Sequence, residues 1–321
     1  MKILFFSLVC CLLSEMSTGH PGIGIVKDSK GNIFYTDLEQ VWKINPAGHK
    51  TVAVSGVHTH ELYIDSADHL YGEHLWYNGE KADTWGHYVW KLNTNGVVEK
   101  VKEPAAGFLE NYSFIRDASG NMYWAERFTI SRIKKRTPDG ITTTIGEGKF
   151  RNIRWMSATK TGVVYFMDLD RLYKLHQGTF TMLAKDLNES NSLFSIVGDT
   201  HNAYGIWTDS KENIYVALYG GQQVKKITPG GKVSTVLYSQ GAWSPTNGLF
   251  DEMGNCWILE YTMTGKARVR KIDKSGLEKK IPYKATLSHD ILPPIGGIVV
   301  GLFLYALSKN IIRLTSSPPS K

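Results

Sequence analysis

The chain is short of the devices that would announce its chemistry. It has three cysteines, and Cys10 and Cys11 fall in the apolar N-terminal run. Cys256 alone remains, so no intramolecular disulfide braces the rest and a core must hold it. No phosphate loop, dinucleotide fingerprint or Ser-His-Asp spacing is present, which leaves nucleotide-dependent and triad chemistry without support. No long helical pattern separates the apolar runs, and this excludes a parallel α/β sheet. There is also no long basic block. The net charge of +7 is scattered as single lysines and Lys-Lys pairs, the pattern of a solvated surface and not of a nucleic-acid partner. What the chain does have is 12% aromatic residues and 31 glycines, mostly at turns, a combination that suits an all-β protein.

The N-terminus reads as a leader. After Met1 and Lys2 comes ILFFSLVCCLL, then the small-x-small triplet Ser17, Thr18, Gly19. One lysine, a short apolar core and small residues are the marks of a secretory signal peptide. The expected division is residues 1–19 as signal peptide and 20–321 as a single β-propeller domain. The product would be secreted or periplasmic, monomeric, with His20 at its start.

An internal repeat runs the length of the chain. The apolar-x-basic-apolar tetrad appears as VWKI at 41–44, VWKL at 89–92, ISRI at 130–133 and LYKL at 172–175. It returns as VKKI at 224–227, VRKI at 269–272 and IIRL at 311–314. Before most of these stands an Asp-x-x-Gly-Asn-like turn: DSKGN at 28–32, DASGN at 117–121, DSKEN at 209–213 and DEMGN at 251–255. In such a turn the aspartate carboxylate caps the backbone, and glycine or asparagine takes the positive φ. A unit recurring roughly every 40 to 50 residues with about four short strands is a propeller blade. Seven tetrads favour seven blades. The alternative is six blades plus a hydrophobic C-terminal segment, because ILPPIGGIVVGLFLYAL at 291–307 is uncharged and approaches the ~20 residues needed to cross a bilayer as an anchor. The ungapped match of 301–314 to 31–44 favours strands.

The Asp-x-x-Gly-Asn-apolar-Tyr pattern, followed by apolar-x-Lys-Ile and Pro-x-Gly, resembles NHL-repeat propellers and their gluconolactonase-like (regucalcin-like) relatives. The resemblance covers essentially the whole chain after the leader. It implies a divalent cation in the central channel, held by Glu, Asn and Asp where the innermost strands begin. Asn247 and Gly248 match the Asn-Gly step; Tyr204 precedes Gly205 where Asp is expected, and Ile23 precedes Gly24 where Glu is. A peptide-amidating lyase of similar repeat type implies zinc held by histidines instead.

Strand order gives each blade two ends. The connection into the innermost strand and the loop between the second and third strands share one face; the Asp-x-x-Gly turns lie on the other. The first face collects His20, His58, His60, His201 and His289 just before the innermost strands, with Asn247. At the second loop stand Asp37, His74, Glu126, Asp168 and Glu260, with Glu73 beside His74. Tyr112 and Arg154 are expected near the channel ends of their strands, whereas His69 occupies a turn position and is expected to be structural. Neutral imidazoles beside carboxylates suit zinc or copper, and the acids suit calcium. His20, His58, His60, His201, His289 and Asn247 are therefore candidate metal ligands. Glu73, His74, Glu126 and Arg154 are candidate acid–base and oxyanion groups. Two functions compete: an exported propeller binding a small molecule or peptide, with Trp76, Tyr77 and Trp85 as platforms, and a metal-dependent hydrolase or lyase.

Overall fold

The computed structural model describes residues 20–188 and 202–278. Its strands belong to one compact unit, residues 1–239 with 243–281; a second unit takes 240–242 and 282–321. Six antiparallel sheets follow one another, each built from consecutive strands with the first innermost. The first sheet holds β1 (Ile25–Lys27), β2 (Ile33–Thr36), β3 (Gln40–Ile44) and β4 (Lys50–Ser55). The second holds β5 (Leu62–Ile64), β6 (Leu70–Tyr77), β7 (Trp85–Leu92) and β8 (Val98–Ala106). In the third, Arg116 bridges Met122 inside β9 (Met122–Glu126), β10 (Ser131–Arg136) and β11 (Thr142–Gly148). The fourth has β12 (Ile153–Ala158), β13 (Val164–Asp168), β14 (Arg171–His176) and β15 (Thr179–Ala184). The fifth has β16 (Ala203–Thr208), β17 (Ile214–Leu218), β18 (Gln223–Ile227) and β19 (Val233–Tyr238), and the sixth β20 (Trp243–Phe250), β21 (Cys256–Thr262) and β22 (Ala267–Ile272).

The architecture is an all-β propeller, and it has six blades, not seven. Six of the seven tetrads are third strands. The sixth sheet meets the first directly: the Asn247 amide donates to the Ile23 carbonyl at 2.7 Å, and the Tyr261 hydroxyl to the Thr36 carbonyl at 2.7 Å. Lys27 pairs with Glu252 across the same join, and Ile25 and Tyr35 share one apolar cluster with Leu259 and Tyr261. That seam leaves no slot for another sheet. A tetrad records only an amphipathic strand, whereas ring closure depends on contacts between distant parts of the chain. The seventh tetrad, at 311–314, and the apolar run at 291–307 lie outside the described residues.

The turns explain why the repeat is legible. Asp28 Oδ1 accepts the Asn32 backbone N–H at 2.7 Å while Oδ2 accepts its side-chain amide at 2.6 Å. The same pair recurs at Asp117 and Asn121, Asp209 and Asn213, and Asp251 and Asn255. The positive φ falls on the residue before the asparagine, as at Gly31 and Gly254, and not on the asparagine itself. His69 takes the asparagine's place in the second blade, with Nδ1 3.0 Å from Asp65 Oδ2. Cys256 is buried, and burial pushes its thiol up to about 12, so it packs as a small apolar group.

The second blade packs on the first through Trp90, which is fully buried and donates its indole N–H to the Glu73 carbonyl at 2.9 Å. Gly72 gives that ring its space: a Cβ there would stand 2.3 Å from the indole and 2.9 Å from the Thr59 methyl. Its φ is ordinary, so the contact is a matter of packing alone. Gly72→Ala is expected to destabilise the protein by ~2 kcal/mol through overpacking. Thermal denaturation should show a Tm lowered by about 4–8 °C; an unchanged Tm would mean that Trp90 has room to move.

Candidate functional site at the channel mouth

The loop entering β5 carries most of the candidates, and β6 lies beside it. Glu73, on β6, is 5% exposed. Its Oε1 accepts the backbone N–H of His60 at 2.6 Å and of Glu61 at 3.3 Å, so the carboxylate holds the entry loop in place. His60 Nδ1 stands 3.7 Å from the same oxygen. Glu73 Oε2 is buried and has no hydrogen-bond partner, an uncommon and costly state for a carboxylate oxygen. His58 and His60 meet edge to face with ring centroids 4.7 Å apart. The His58 backbone N–H donates to His74 Nδ1 at 3.0 Å, which leaves the His74 proton on Nε2.

Three of these imidazoles are shifted the same way. Burial lowers the pKa of His58, helped by His60, and burial alone lowers that of His74. His20 is lowered by burial, then by the nearby His60 and Arg154. All three are neutral at pH 7. The opposite shift falls on Glu61. Its side chain is partly open to the channel lumen yet ringed by protein, and that burial, reinforced by Glu73, pushes its carboxyl up to about 7. His60 and Arg127 pull it back only in part. Two carboxyls sharing one site cannot both ionise cheaply.

Across the mouth, the third and fourth blades contribute arginines. Arg127 follows β9 directly and donates Nε to the Ile153 carbonyl at 2.6 Å. Arg154, on β12, has a buried Nε without a partner and lies near Tyr204. The Arg116 guanidinium sits 5.3 Å from the rings of both Tyr63 and Tyr112.

The remaining candidates are engaged elsewhere. Glu126 stands 3.8 Å from Lys134 on the next strand. Asp37 accepts the Glu39 and Gln40 backbone N–H groups and the Trp42 indole. Asp168 accepts the Asn152 N–H at 2.6 Å. Glu260 is held by Arg268, Arg270 and Ser239. These acids fasten strands and loops. His201 and His289 lie outside the described residues. Glu61, Arg127 and Arg116 were missed by the sequence reading, although one signal was available for Glu61: it stands four residues before Asp65, as Asn247 stands four before Asp251.

β6 and β7 are eight residues each, longer than their counterparts in the first blade, and they raise an aromatic wall beside the mouth. Trp85 stacks on Phe108 at 5.5 Å and packs on Tyr77 at 5.0 Å, and all three are exposed. On the opposite face of the hairpin, His74 packs on Trp76 and Tyr88.

Among the described residues, no three His, Cys, Asp or Glu side chains stand in a ligating arrangement. The Asn247 Nδ2 donates to the Ile23 carbonyl while its buried Oδ1 has no hydrogen-bond partner, the Ile23 side chain is hydrocarbon, and Tyr204 is stacked on Trp155 at 5.1 Å. Among the described residues, His20, His58 and His60 are thus not gathered into a ligating group of three, and His201 and His289 lie outside them. The described residues also include no helix long and apolar enough to cross a membrane.

No protein-family model and no curated protein matches the chain. Solved structures do. A luciferin-regenerating enzyme superposes with a TM-score of 0.54 at 12% identity, over 81% of this chain and 93% of that one. A calcium-binding protein, regucalcin, from Agrobacterium tumefaciens gives 0.51 at 14%, over 75% and 83%. A gluconolactonase from Xanthomonas campestris gives 0.50 at 10%, over 76% and 84%. At these identities the likeness is one of fold: a β-propeller of the gluconolactonase and regucalcin type.

Proposed function

We propose that the protein is an exported enzyme of lactonase or lyase kind, acting on a small carbonyl compound at the channel mouth, with Glu61 as the group that moves a proton. The observation carrying this is Glu61 at the end of the entry loop, its backbone N–H held by Glu73 Oε1 and its carboxyl within the field of Glu73 and His60, beside the open, buried Oε2 of Glu73. A carboxyl held near neutrality is partly charged at pH 7, so it can take a proton in one step and return it in the next. Arg154 and Arg127 supply positive charge where an oxyanion would develop. Propellers of the same fold include one described as a gluconolactonase, and this favours acyl chemistry over a purely passive scaffold. A panel of lactones assayed with the purified protein tests the reading: turnover by the wild type and its loss in Glu61→Gln are expected. Absence of turnover across the panel would remove it. The second reading, a binding propeller for a small molecule or peptide, rests on the exposed Tyr77, Trp85 and Phe108 wall.

Export follows from the leader, which lies outside the described residues. Intact-mass measurement of secreted material is expected to give a chain starting at His20. A mass that retains Met1 would sink this. His20 then closes the histidine side of the mouth with its new amino group.

A further inference from the structure

A cavity of about 600 Å³ opens between the third and fourth blades, at their Asp-x-x-Gly-type turns and so on the face opposite the mouth. Small-molecule sites occupy about 300–1,000 Å³. A short hairpin makes the room. The loop from third to fourth strand is residues 45–49 in the first blade, 93–97 in the second, 137–141 in the third and 228–232 in the fifth. In the fourth, only Gln177 and Gly178 join β14 to β15, both with positive φ as a tight hairpin requires. The fifth blade's longer loop reaches back onto its neighbour, where a Cβ on Gly231 would stand 2.8 Å from the Leu183 carbonyl oxygen. The matching distance from Gly178 to the Ile145 carbonyl oxygen is 3.9 Å. The fourth blade leaves open what the fifth fills.

The cavity has an apolar floor, Ile145 and Leu175, and two cations on its walls, Lys135 and Lys160. Lys135 stands opposite Tyr123 in the sheet, and Tyr123 packs with Ile133 and Leu175, so the half-buried Lys135 leaves β10 toward the fourth blade. Lys160 belongs to the turn before β13. That turn has Thr159 where every other blade has aspartate, and the Thr159 hydroxyl accepts the Val163 N–H in its place. The fourth-blade wall therefore brings positive charge and no carboxylate. Asp117 is the one acid among the lining residues, and its oxygens are taken. Oδ1 accepts the Ser119 and Asn121 backbone N–H groups, and Oδ2 the Asn121 amide and the Tyr123 hydroxyl. Lys160 also adds to the positive field at Lys27.

We propose that this cavity binds a small organic phosphate, with the phosphate between Lys135 and Lys160 and the organic part on Ile145 and Leu175. Two ammonium groups reaching in from different blades act as point charges, which suits a compact, doubly charged anion. A planar, singly charged carboxylate is better served by a guanidinium fork, and no arginine lines the cavity. The apolar floor favours an ester over the free ion. The site is separate from the mouth and does not depend on the chemistry there.

Calorimetric titration with phenyl phosphate, inorganic phosphate and benzoate tests it on the wild type, Lys135→Gln, Lys160→Gln and Arg154→Gln. Phenyl phosphate is expected to bind the wild type at least about tenfold more tightly than either other probe, and more weakly as salt is raised. Each lysine variant should weaken it about tenfold, the loss of one charge-assisted contact. Lys160 is exposed, so its replacement keeps the test standing if Lys135→Gln does not fold. Arg154→Gln, at the mouth, should leave phenyl phosphate binding unchanged. No binding of phenyl phosphate, equal affinity for benzoate or inorganic phosphate, or indifference to both lysines would each overturn the proposal. Loss of binding in Arg154→Gln alone would overturn it too, by placing the phosphate at the mouth.

Discussion

Replacing Glu260 with alanine is expected to destabilise the protein by ~3 kcal/mol, because the side chain is fully buried and gathers three donors. Oε1 takes Arg270 Nη2 and the Ser239 hydroxyl, each at 2.6 Å, and Oε2 takes Arg268 Nε at 2.7 Å. Arg268 in turn lies over the Trp243 ring at 4.2 Å. Without the carboxylate, two arginines lose their counter-charge, though each is about a third exposed and can turn toward water. That relief keeps the loss toward the lower end of the ~3–5 kcal/mol seen on breaking buried pairs. Urea denaturation should show a lower midpoint with an unchanged slope. Glu260→Gln, which keeps an acceptor but no charge, should fall between the two. A loss below ~1 kcal/mol for the alanine variant would show that β21 and β22 hold together without this carboxylate.

Glu61→Gln is expected to abolish proton transfer, lowering turnover ~10²- to 10⁴-fold, and to change how stability depends on pH. In the folded protein Glu61 holds its proton up to about 7, against an ordinary 4.5. Between those values the unfolded chain has released a proton that the folded chain retains. Stability therefore falls as pH rises across that window, by up to ~3 kcal/mol before solvent at the channel mouth softens it. His20, His58 and His74, all lowered, act in the other direction and remove stability as pH falls below 6.5. The difference between wild type and Glu61→Gln isolates the carboxyl. The variant should gain on the wild type from pH 5 to pH 8 in urea denaturation. A difference that stays constant over that range would mean the carboxyl is fully hydrated, and the acid–base role would go with it.

The blade repeat was readable because each turn is a local device. Asp28 and Asn32 bond within five residues, and the tetrads VWKI and VKKI mark third strands wherever they fall in the ring. Blade number was not readable, because it is decided by Tyr261 and Asn247 reaching residues at the other end of the chain. At the mouth, the spacing from the turn anchor picked out His58, His60 and His74, with Glu73 as the neighbour of His74, and these do meet. It could not separate Glu73 from Glu260 or Asp168. All three are acids at the same end of a second strand. One keeps an open oxygen beside a second carboxyl, and the others are consumed by arginines or a backbone N–H. Arg127 escaped because its place depends on the carbonyl of Ile153, a partner that no local pattern reveals.

The seam between the sixth and first sheets also bears on the order in which the molecule comes together. Each blade is made from one uninterrupted stretch of chain, so its strands find their neighbours over short distances. The first and second blades are joined by Thr36 and Thr59, 23 residues apart, whereas the seam joins Tyr261 to Thr36, 225 apart. By loop-closure entropy the longer connection costs about 2 kcal/mol more to bring together. The Tyr261 hydroxyl, the Asn247 amide and the apolar cluster around Tyr35 offset that difference, and they can do so only after the intervening blades are in place. Among the described residues the ring is thus fastened by side chains from its first and sixth sheets, so the last contact to form is also the one that makes the channel a closed passage.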